Sequence, residues 1–540
     1  MDPLSITVST VSLFKEVLLV SRFIYRKMES AKDAQSEKDD LCAQFELEVL
    51  FLQSLGHVFQ GGITKNQAID TRWMNFLHRT LERMNDACSA YRTLAAEKDA
   101  DYQKYSPFLN STEHNTKIDF DVDAPLSSKK RFSIGQLLGA GGKVKDDPKW
   151  DWKWAFIGKR KFESLIREFQ RLNGRLKDIL PLAIAHMSPS RPDEKSAARL
   201  GLKPHYHLRS LASQQPAGVG SFLLKDKMLE VDETGPSVVV GLLSRTKKKT
   251  AGLDAVLVEY KEYAPEQSSD RQLSLHKEGL AHLATLLKSA GECDLATLPF
   301  KGIMEQDRQH RHAFIFGFPK GTDDSVPPLS LNFMISEGKN EDRLDLDQRF
   351  AVAQRLAKSM GVLHADGWVH KSIRSESILF FRSRDGRSLL IHTPYVTNFE
   401  FSRPEGQYTG EQHFVEDEDW QRNLYRHPER QGMPTSSFRK EHDIYALGII
   451  LLEIGLWEEA ASIYRHQREK APNAQLRPTH LQNIFLKSAK SRLAHHMGTR
   501  YLEAVLACID GEFDGAAAEA DFPMIFYEKV TEKLERPFDS

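Results

Sequence analysis

Apolar residues recur at helical spacing through the first third of the chain. Leu4, Val8, Val11, Phe14, Leu18 and Phe23 outline one stripe, and Leu41, Phe45, Leu52 and Leu55 a second. Ile69, Trp73, Leu77, Met84, Cys88 and Tyr91 mark a third, and Phe162, Leu165, Ile166, Phe169, Leu172, Leu176 and Ile179 a fourth. Each is the one-sided pattern of an amphipathic helix, so residues 1–185 are predicted to form an all-α helical bundle. Residues 98–149 are too polar to close a core and are predicted as a long loop. Pro, Gly and Ser cluster in SPSRPDEKS and QQPAGVG, which marks residues 186–235 as a connector with one short helix, Ala197 to Ala212. Beyond it the period changes. VVVGLLSR, DAVLVEYKEY and HAFIFGFP read as strands and LHKEGLAHLATLLKSA as a helix; later, IYALGIILLEIG is apolar all round, as for a helix at the centre of a core. Residues 236–540 are therefore expected to be an α+β domain, strands first and helices later.

A length of 540 residues agrees with several cores. Hydrophobic residues at 40% and charged residues at 28% exclude collagen-like and wholly disordered classes. Lys+Arg number 74 against 75 Asp+Glu, a net charge of -1, so no global field draws nucleic acid, and no nucleic-acid partner is expected. The 4 cysteines, Cys42, Cys88, Cys293 and Cys508, are too scattered for a disulfide framework and fit a reducing compartment, hence a cytoplasmic location. Asp2 stands where a secretory signal needs basic residues. The uncharged run from Pro3 to Phe14 is short of the roughly 20 apolar residues that span a bilayer. With Arg22, Arg26 and Lys27 behind it, this stripe fits either a buried core helix or a helix lying on a membrane surface.

Other local patterns carry less. LLGAGGKV (Leu137 to Val144) lacks the upstream glycine and the hydroxyl residue after Lys143 that a phosphate loop needs, and reads as a turn. WDWKW (Trp150 to Trp154) alternates aromatic and charged residues ahead of Lys159, Arg160 and Lys161, a pattern that anchors a helix start in the core or suits lipid headgroups or nucleic acid. The pairs His205/His207 and His310/His312 have no Cys or acidic residue at ligand spacing. They are expected to be surface histidines, and no metal site is expected.

LHADGWVHKSIRSESILF (Leu363 to Phe380) resembles the catalytic-loop region of eukaryotic protein kinases. On that resemblance His370 falls on the motif histidine, Lys371 on the arginine, Ser372 on the aspartate that takes the substrate proton, Arg374 on the lysine and Ser377 on the metal-binding asparagine. TNFEF puts Asn398, Phe399 and Glu400 on the Asp-Phe-Gly motif, replacing the magnesium-binding carboxylate by an amide. Pro428 and Glu429 match the Ala-Pro-Glu motif, and Asp443 and Gly448 the aspartate and glycine of the central helix. Lys261 is the match for the phosphate-pairing lysine, with Glu278 as its partner in what reads as a structural ion pair; Gly241 stands alone where three glycines are needed. The resemblance implies a two-lobed kinase-like domain, with an N-lobe at about 236–320 and a C-lobe at about 321–540. Loss of the general base alone removes roughly 10²- to 10⁴-fold of rate, and loss of the metal ligands removes charge neutralisation. A pseudokinase is expected, with no required cofactor and at most weak ATP binding without magnesium.

MDPLSITVSTVSLFKEVL, EKDDLCAQFELEVLFLQSLG and KWDWKWAFIGKRKFESLIREFQRLNGRL resemble the HeLo domain of fungal incompatibility proteins, in which a helical bundle is associated with programmed cell death. The order of bundle, connector and inactive kinase-like domain is similar to that of the mixed lineage kinase domain-like effectors of necroptosis. What this implies is a cell-death effector whose Leu4, Val8, Val11, Phe14 and Leu18 segment acts on membrane lipids, with self-association and recruitment to the plasma membrane after a signal from an upstream kinase or receptor. Tyr408, Thr409 and the acidic run Glu416 to Asp419 are the expected place of that signal, with Arg426 as a pairing residue. Two alternatives stand beside it: an atypical active kinase using Glu376 or Glu400 as its carboxylate, and a non-enzymatic scaffold.

Overall fold

The computed structural model describes residues 3–30, 35–63, 71–98, 103, 159–184, 197–198, 200–213, 218–224, 229–231, 239–244, 252–263, 270–291, 293, 295–338, 342–386, 388–405, 420–431, 437–470, 478–513 and 522–535. The chain divides into two compact units, Met1–Lys203 and Pro204–Ser540. It is mostly helical, with several antiparallel sheets.

The first unit contains α1 (Pro3–Ser30), α2 (Gln35–Ile63), α3 (Thr71–Ala87), α4 (Ser89–Lys98) and α5 (Lys159–Ile184). Helix α1 packs on α2 and α3, and α5 on α2 and α3. The predicted stripes face inward, with Phe14, Phe45, Leu77, Phe162 and Phe169 all buried. Phe45 meets Phe162 and Phe169 edge-on, with centroids 5.4 and 5.3 Å apart, an arrangement that adds to area burial. Gly56 makes room for Phe14, since a Cβ there would lie 2.8 Å from Phe14 Cε1. Two polar ties cross the core: Thr10 Oγ1 lies 3.1 Å from His78 Nδ1, and Asn173 Nδ2 donates to Glu48 Oε2 at 2.7 Å. Of the segment proposed to meet lipid, Val11, Phe14 and Leu18 are 9%, 1% and 5% exposed, so in this conformation they are core residues. The side chains of Leu4 and Val8, and the stretches at 137–144 and 150–154, lie outside the described residues. No helix among the described residues is long and apolar enough to cross a membrane.

The second unit begins with α6 (Lys203–Ser213). The connector helix was expected to run from Ala197 without a break. Gly201, at φ +70°, interrupts it, and α6 restarts with Pro204 in its first turn, where the missing N–H has no cost. Strands β1 (Leu229–Val231), β2 (Val239–Ser244), β3 (Leu253–Glu262), β4 (Phe300–Gln306) and β5 (Arg311–Gly317) form an antiparallel sheet in the order β1-β2-β3-β5-β4. Alternation decides its two faces. Leu257, Phe314 and Phe316 join the main core with Leu280, Leu283 and Leu287 of α7 (Asp270–Ala290), while Val256, Val258, Ala313 and Ile315 form a smaller cluster on the other face.

The remainder is mainly helical: α8 (Leu331–Ser336), α9 (Leu346–Ala365), α10 (Trp420–Leu424), α11 (Lys440–Leu456), α12 (Ala460–Lys470), α13 (Pro478–Ser488), α14 (Ala494–Ile509) and α15 (Phe522–Phe526). Short strands β6 (Leu329–Ser330), β8 (Ile378–Phe380) and β9 (Tyr395–Val396) pair with one another, and β7 (Trp368–Val369) pairs with β10 (Arg403–Pro404). A reciprocal capping box between Asp345 and Gln348 starts α9. Helix α11, apolar on all sides, is buried from Glu441 to Leu456. Gly448 permits the approach of α14: a Cβ there would lie 2.7 Å from Cys508 Cβ and 2.8 Å from Ile509 Cγ1.

Candidate functional site

The residues picked out between Leu363 and Asp443 converge on one turn. Asp443, on the first turn of α11, accepts from His370 N–H at 2.7 Å through Oδ2 and from Lys371 N–H at 2.8 Å through Oδ1. Its Oδ2 also lies 3.1 Å from His364 Nε2 at the end of α9. Lys371 has φ +74°, a conformation that L side chains adopt only under constraint; the two bonds to one buried carboxylate supply that constraint. Burial pushes the Asp443 carboxyl up, but His364 and His370 outweigh it and leave it below the ordinary carboxylate range. Ser402 Oγ donates to His370 O at 3.0 Å, and the His370 ring packs on Phe399 with centroids 4.3 Å apart. Burial pulls the His370 imidazole down to about 4, against the pull of Asp443, so it is neutral at pH 7.

The positions that the resemblance reads as degenerate take part in local backbone hydrogen bonds. Ser377 Oγ accepts from Arg374 N–H at 2.9 Å and donates to Arg374 O at 2.7 Å, closing its own turn. Ser372 N–H donates to His370 Nδ1 at 3.3 Å. A serine at Ser372 has no carboxylate for proton abstraction at neutral pH. Asn398 is left-handed, with φ +64°. Its N–H and that of Phe399 donate to the Glu259 carboxylate on β3, at 2.9 and 3.3 Å.

Glu259 stands two residues before Lys261, and the period of β3 sets it on the face of Leu257 and Lys261, turned to the Asn398 turn. The expected Lys261–Glu278 pair is corrected. Lys261 Nζ lies 5.9 Å over the Phe401 ring, while Glu278 is exposed with Oε1 3.9 Å from His282 Nε2. The physical reason is helical phase: Leu280, Leu283 and Leu287 take the inward side of α7. Gly241 is a paired strand residue facing Val231 and Val256.

Lys371 is half-buried, and burial pulls its ammonium down to about 7, helped by Arg403, Arg430 and Lys261 and opposed by Asp443. Pro428 opens a short turn, and Glu429 Oε2 accepts from Arg439 Nη2 at 3.1 Å. Arg426 donates to Asn423 Oδ1 at 3.2 Å. Tyr408, Thr409, the run Glu416 to Asp419 and the Glu400 side chain lie outside the described residues. Glu376, the other carboxylate considered for catalysis, lies 4.0 Å from Arg374. An apolar cavity bordered by Leu356, Met360, Leu363, Ile373, Val396 and Phe399 has about 10 Å³ of room, enough for one water and no nucleotide.

Beside the turn lies a buried acid that the sequence did not signal. Glu453 Oε1 accepts from Tyr425 OH and from Ala460 N–H, both at 2.8 Å, and Tyr425 OH is also 2.8 Å from Ser375 Oγ. Burial pushes the Glu453 carboxyl up from 4.5 to about 8, with the Glu376 charge adding to it. The folded unit therefore holds a proton that the unfolded chain releases, and stability falls as pH rises between those values. Glu453→Gln mimics the protonated acid. It is expected to flatten that pH dependence, at most roughly 3–4 kcal/mol between pH 5 and 8, in denaturant melts at those two pH values; an unchanged slope contradicts the assignment.

Residues 301–537 match the model of a family described as Domain of unknown function (DUF7580). That match begins in β4 and takes in the whole Asp443 turn. No curated protein matches the chain.

Proposed function

We propose that residues 204–540 are a kinase-like regulatory unit without phosphotransfer activity, and that residues 1–185 are the HeLo-like, membrane-acting part it controls. The observation that carries the reading is the Asp443 turn. A carboxylate clamps the backbone of His370 and Lys371 in a strained conformation, as catalysis would require, while Ser372 supplies no base and neither Ser377 nor Asn398 supplies a carboxylate to hold magnesium. Glu259 adds to this, because its carboxylate takes the N–H groups of Asn398 and Phe399 and sets a negative charge against that turn.

For the bundle, support comes from the buried stripe of α1. Val11, Phe14 and Leu18 are apolar enough to enter a lipid interface but are packed away, so activity requires release, and release exposes apolar surface that drives self-association. On this reading the chain is cytoplasmic and moves to the plasma membrane when an upstream kinase or receptor acts.

Dye-loaded vesicles of anionic lipid test the pair of roles. Full-length protein is expected to leave them intact, and a form with loosened bundle packing to empty them. If neither form releases dye while helix content is preserved, the membrane role is wrong, and absence of phosphotransfer as well would leave the scaffold.

A further inference from the structure

His205, Cys293 and Asp366 come from three places in the second unit: α6, the turn after α7, and the C-cap of α9. All three are buried, and one ligand atom from each lies within 4.8 Å of the others. His205 Nδ1 is 3.0 Å from Asp366 Oδ2. Imidazole, thiolate and carboxylate together are a donor set for a borderline-soft divalent cation, zinc above all. A tetrahedral zinc holds a nitrogen and an oxygen roughly 3.3 Å apart, and a nitrogen and a sulfur roughly 3.6 Å apart, so side-chain rotations of about an ångström complete the geometry.

An independent observation points to a cation here. Asp366 is 0% exposed and caps the C-terminal end of α9, where the helix dipole is already negative and a carboxylate is unfavourable. Arg209 Nη2 reaches only the other oxygen, Oδ1, at 3.5 Å, leaving Oδ2 turned to His205. Thiolate and carboxylate set against zinc and Arg209 would leave one net positive charge at the negative end of α9.

A second cluster, His427, Glu429 and His442, is a poorer candidate. Nδ1 of His427 accepts from Glu429 N–H, and Nδ1 of His442 from Arg439 N–H. The proton of each neutral ring must then sit on Nε2, which leaves neither ring a nitrogen for a metal.

We infer that His205, Cys293 and Asp366 form a zinc site that fastens helix α6 to the body of the second unit, with water completing the coordination. Sequence spacing could not reveal it, because the three ligands are far apart along the chain; of the pair expected to be surface histidines, His207 is exposed but His205 is buried.

The test uses the purified full-length chain, first with zinc and then with cobalt as a spectroscopic substitute. About one zinc per chain should survive exhaustive dialysis, and a chelator should lower the melting temperature until zinc is restored. Cobalt should give a thiolate-to-metal charge-transfer band in the near ultraviolet. Cys293→Ser should abolish that band and the retained zinc, and His207→Ala should change neither. Should Cys293→Ser fail to fold, Asp366→Asn is the second variant, expected to keep the thiolate band while weakening zinc binding by more than about tenfold. Absence of the cobalt band from the wild-type chain, or equal zinc retention by folded Cys293→Ser, overturns the site.

Discussion

Asp443→Asn is expected to destabilise residues 204–540 by about 3–5 kcal/mol, the range for breaking a buried charged network by removing one partner. The amide retains one acceptor oxygen, but its NH₂ would face one of the two N–H groups of His370 and Lys371 that the carboxylate now holds at 2.7 and 2.8 Å. One buried N–H is left unsatisfied, and Lys371 loses what keeps it at φ +74°. The effect has a pH signature. Because the folded carboxyl titrates below its ordinary range, its contribution is present above the unfolded value of about 4 and is lost as pH falls through the folded one. The variant should lose that acid-range dependence. Chemical denaturation at pH 7 and pH 3 measures both; a loss under about 1 kcal/mol would mean that the carboxylate does not hold the turn.

The second large effect is expected at Phe14. Its side chain is 1% exposed, and Phe14→Ala should cost the bundle about 3–5 kcal/mol by cavity formation. Gly56 gives an internal control. Gly56→Ala alone places a methyl 2.8 Å from Phe14 Cε1 and should destabilise, whereas in the Phe14→Ala background the same methyl enters the vacated space and should cost less. Non-additivity in that cycle ties the two positions together; strict additivity contradicts the packing. Under the proposed function, Gly56→Ala, which leaves the lipid-entering residues of α1 in place, is also the loosened form that empties anionic vesicles.

Much of the helical architecture was legible because long amphipathic stripes report which side is buried: the phase of α5 follows from Phe162, Phe169 and Leu176, and the all-round apolarity of α11 announced its central place. Motif spacing singled out Asp443 and Gly448, and both lie on the buried helix α11. What escaped were contacts made by residues distant in sequence. Nothing adjacent to Glu259 says that its carboxylate turns to Asn398. Glu453 looked like an ordinary acid in an apolar helix, and only its bonds to Tyr425 and Ala460 explain its burial. The lysine–glutamate pair failed for a related reason, since the strand period allowed Lys261 its face while the rotation of α7 put Glu278 in solvent. His205, Cys293 and Asp366 meet only because α6 docks against the second unit, where Leu208 is buried and its carbonyl accepts from Trp368 Nε1 at 3.3 Å.

The most direct measurement is phosphotransfer by the full-length chain with magnesium and labelled ATP, run beside Lys261→Ala. No incorporation into the protein itself or into a generic acceptor, and no shift of its melting temperature by Mg·ATP, is the result predicted from Ser372, Ser377, Asn398 and the Glu259 carboxylate. Incorporation that disappears in Lys261→Ala would contradict the account.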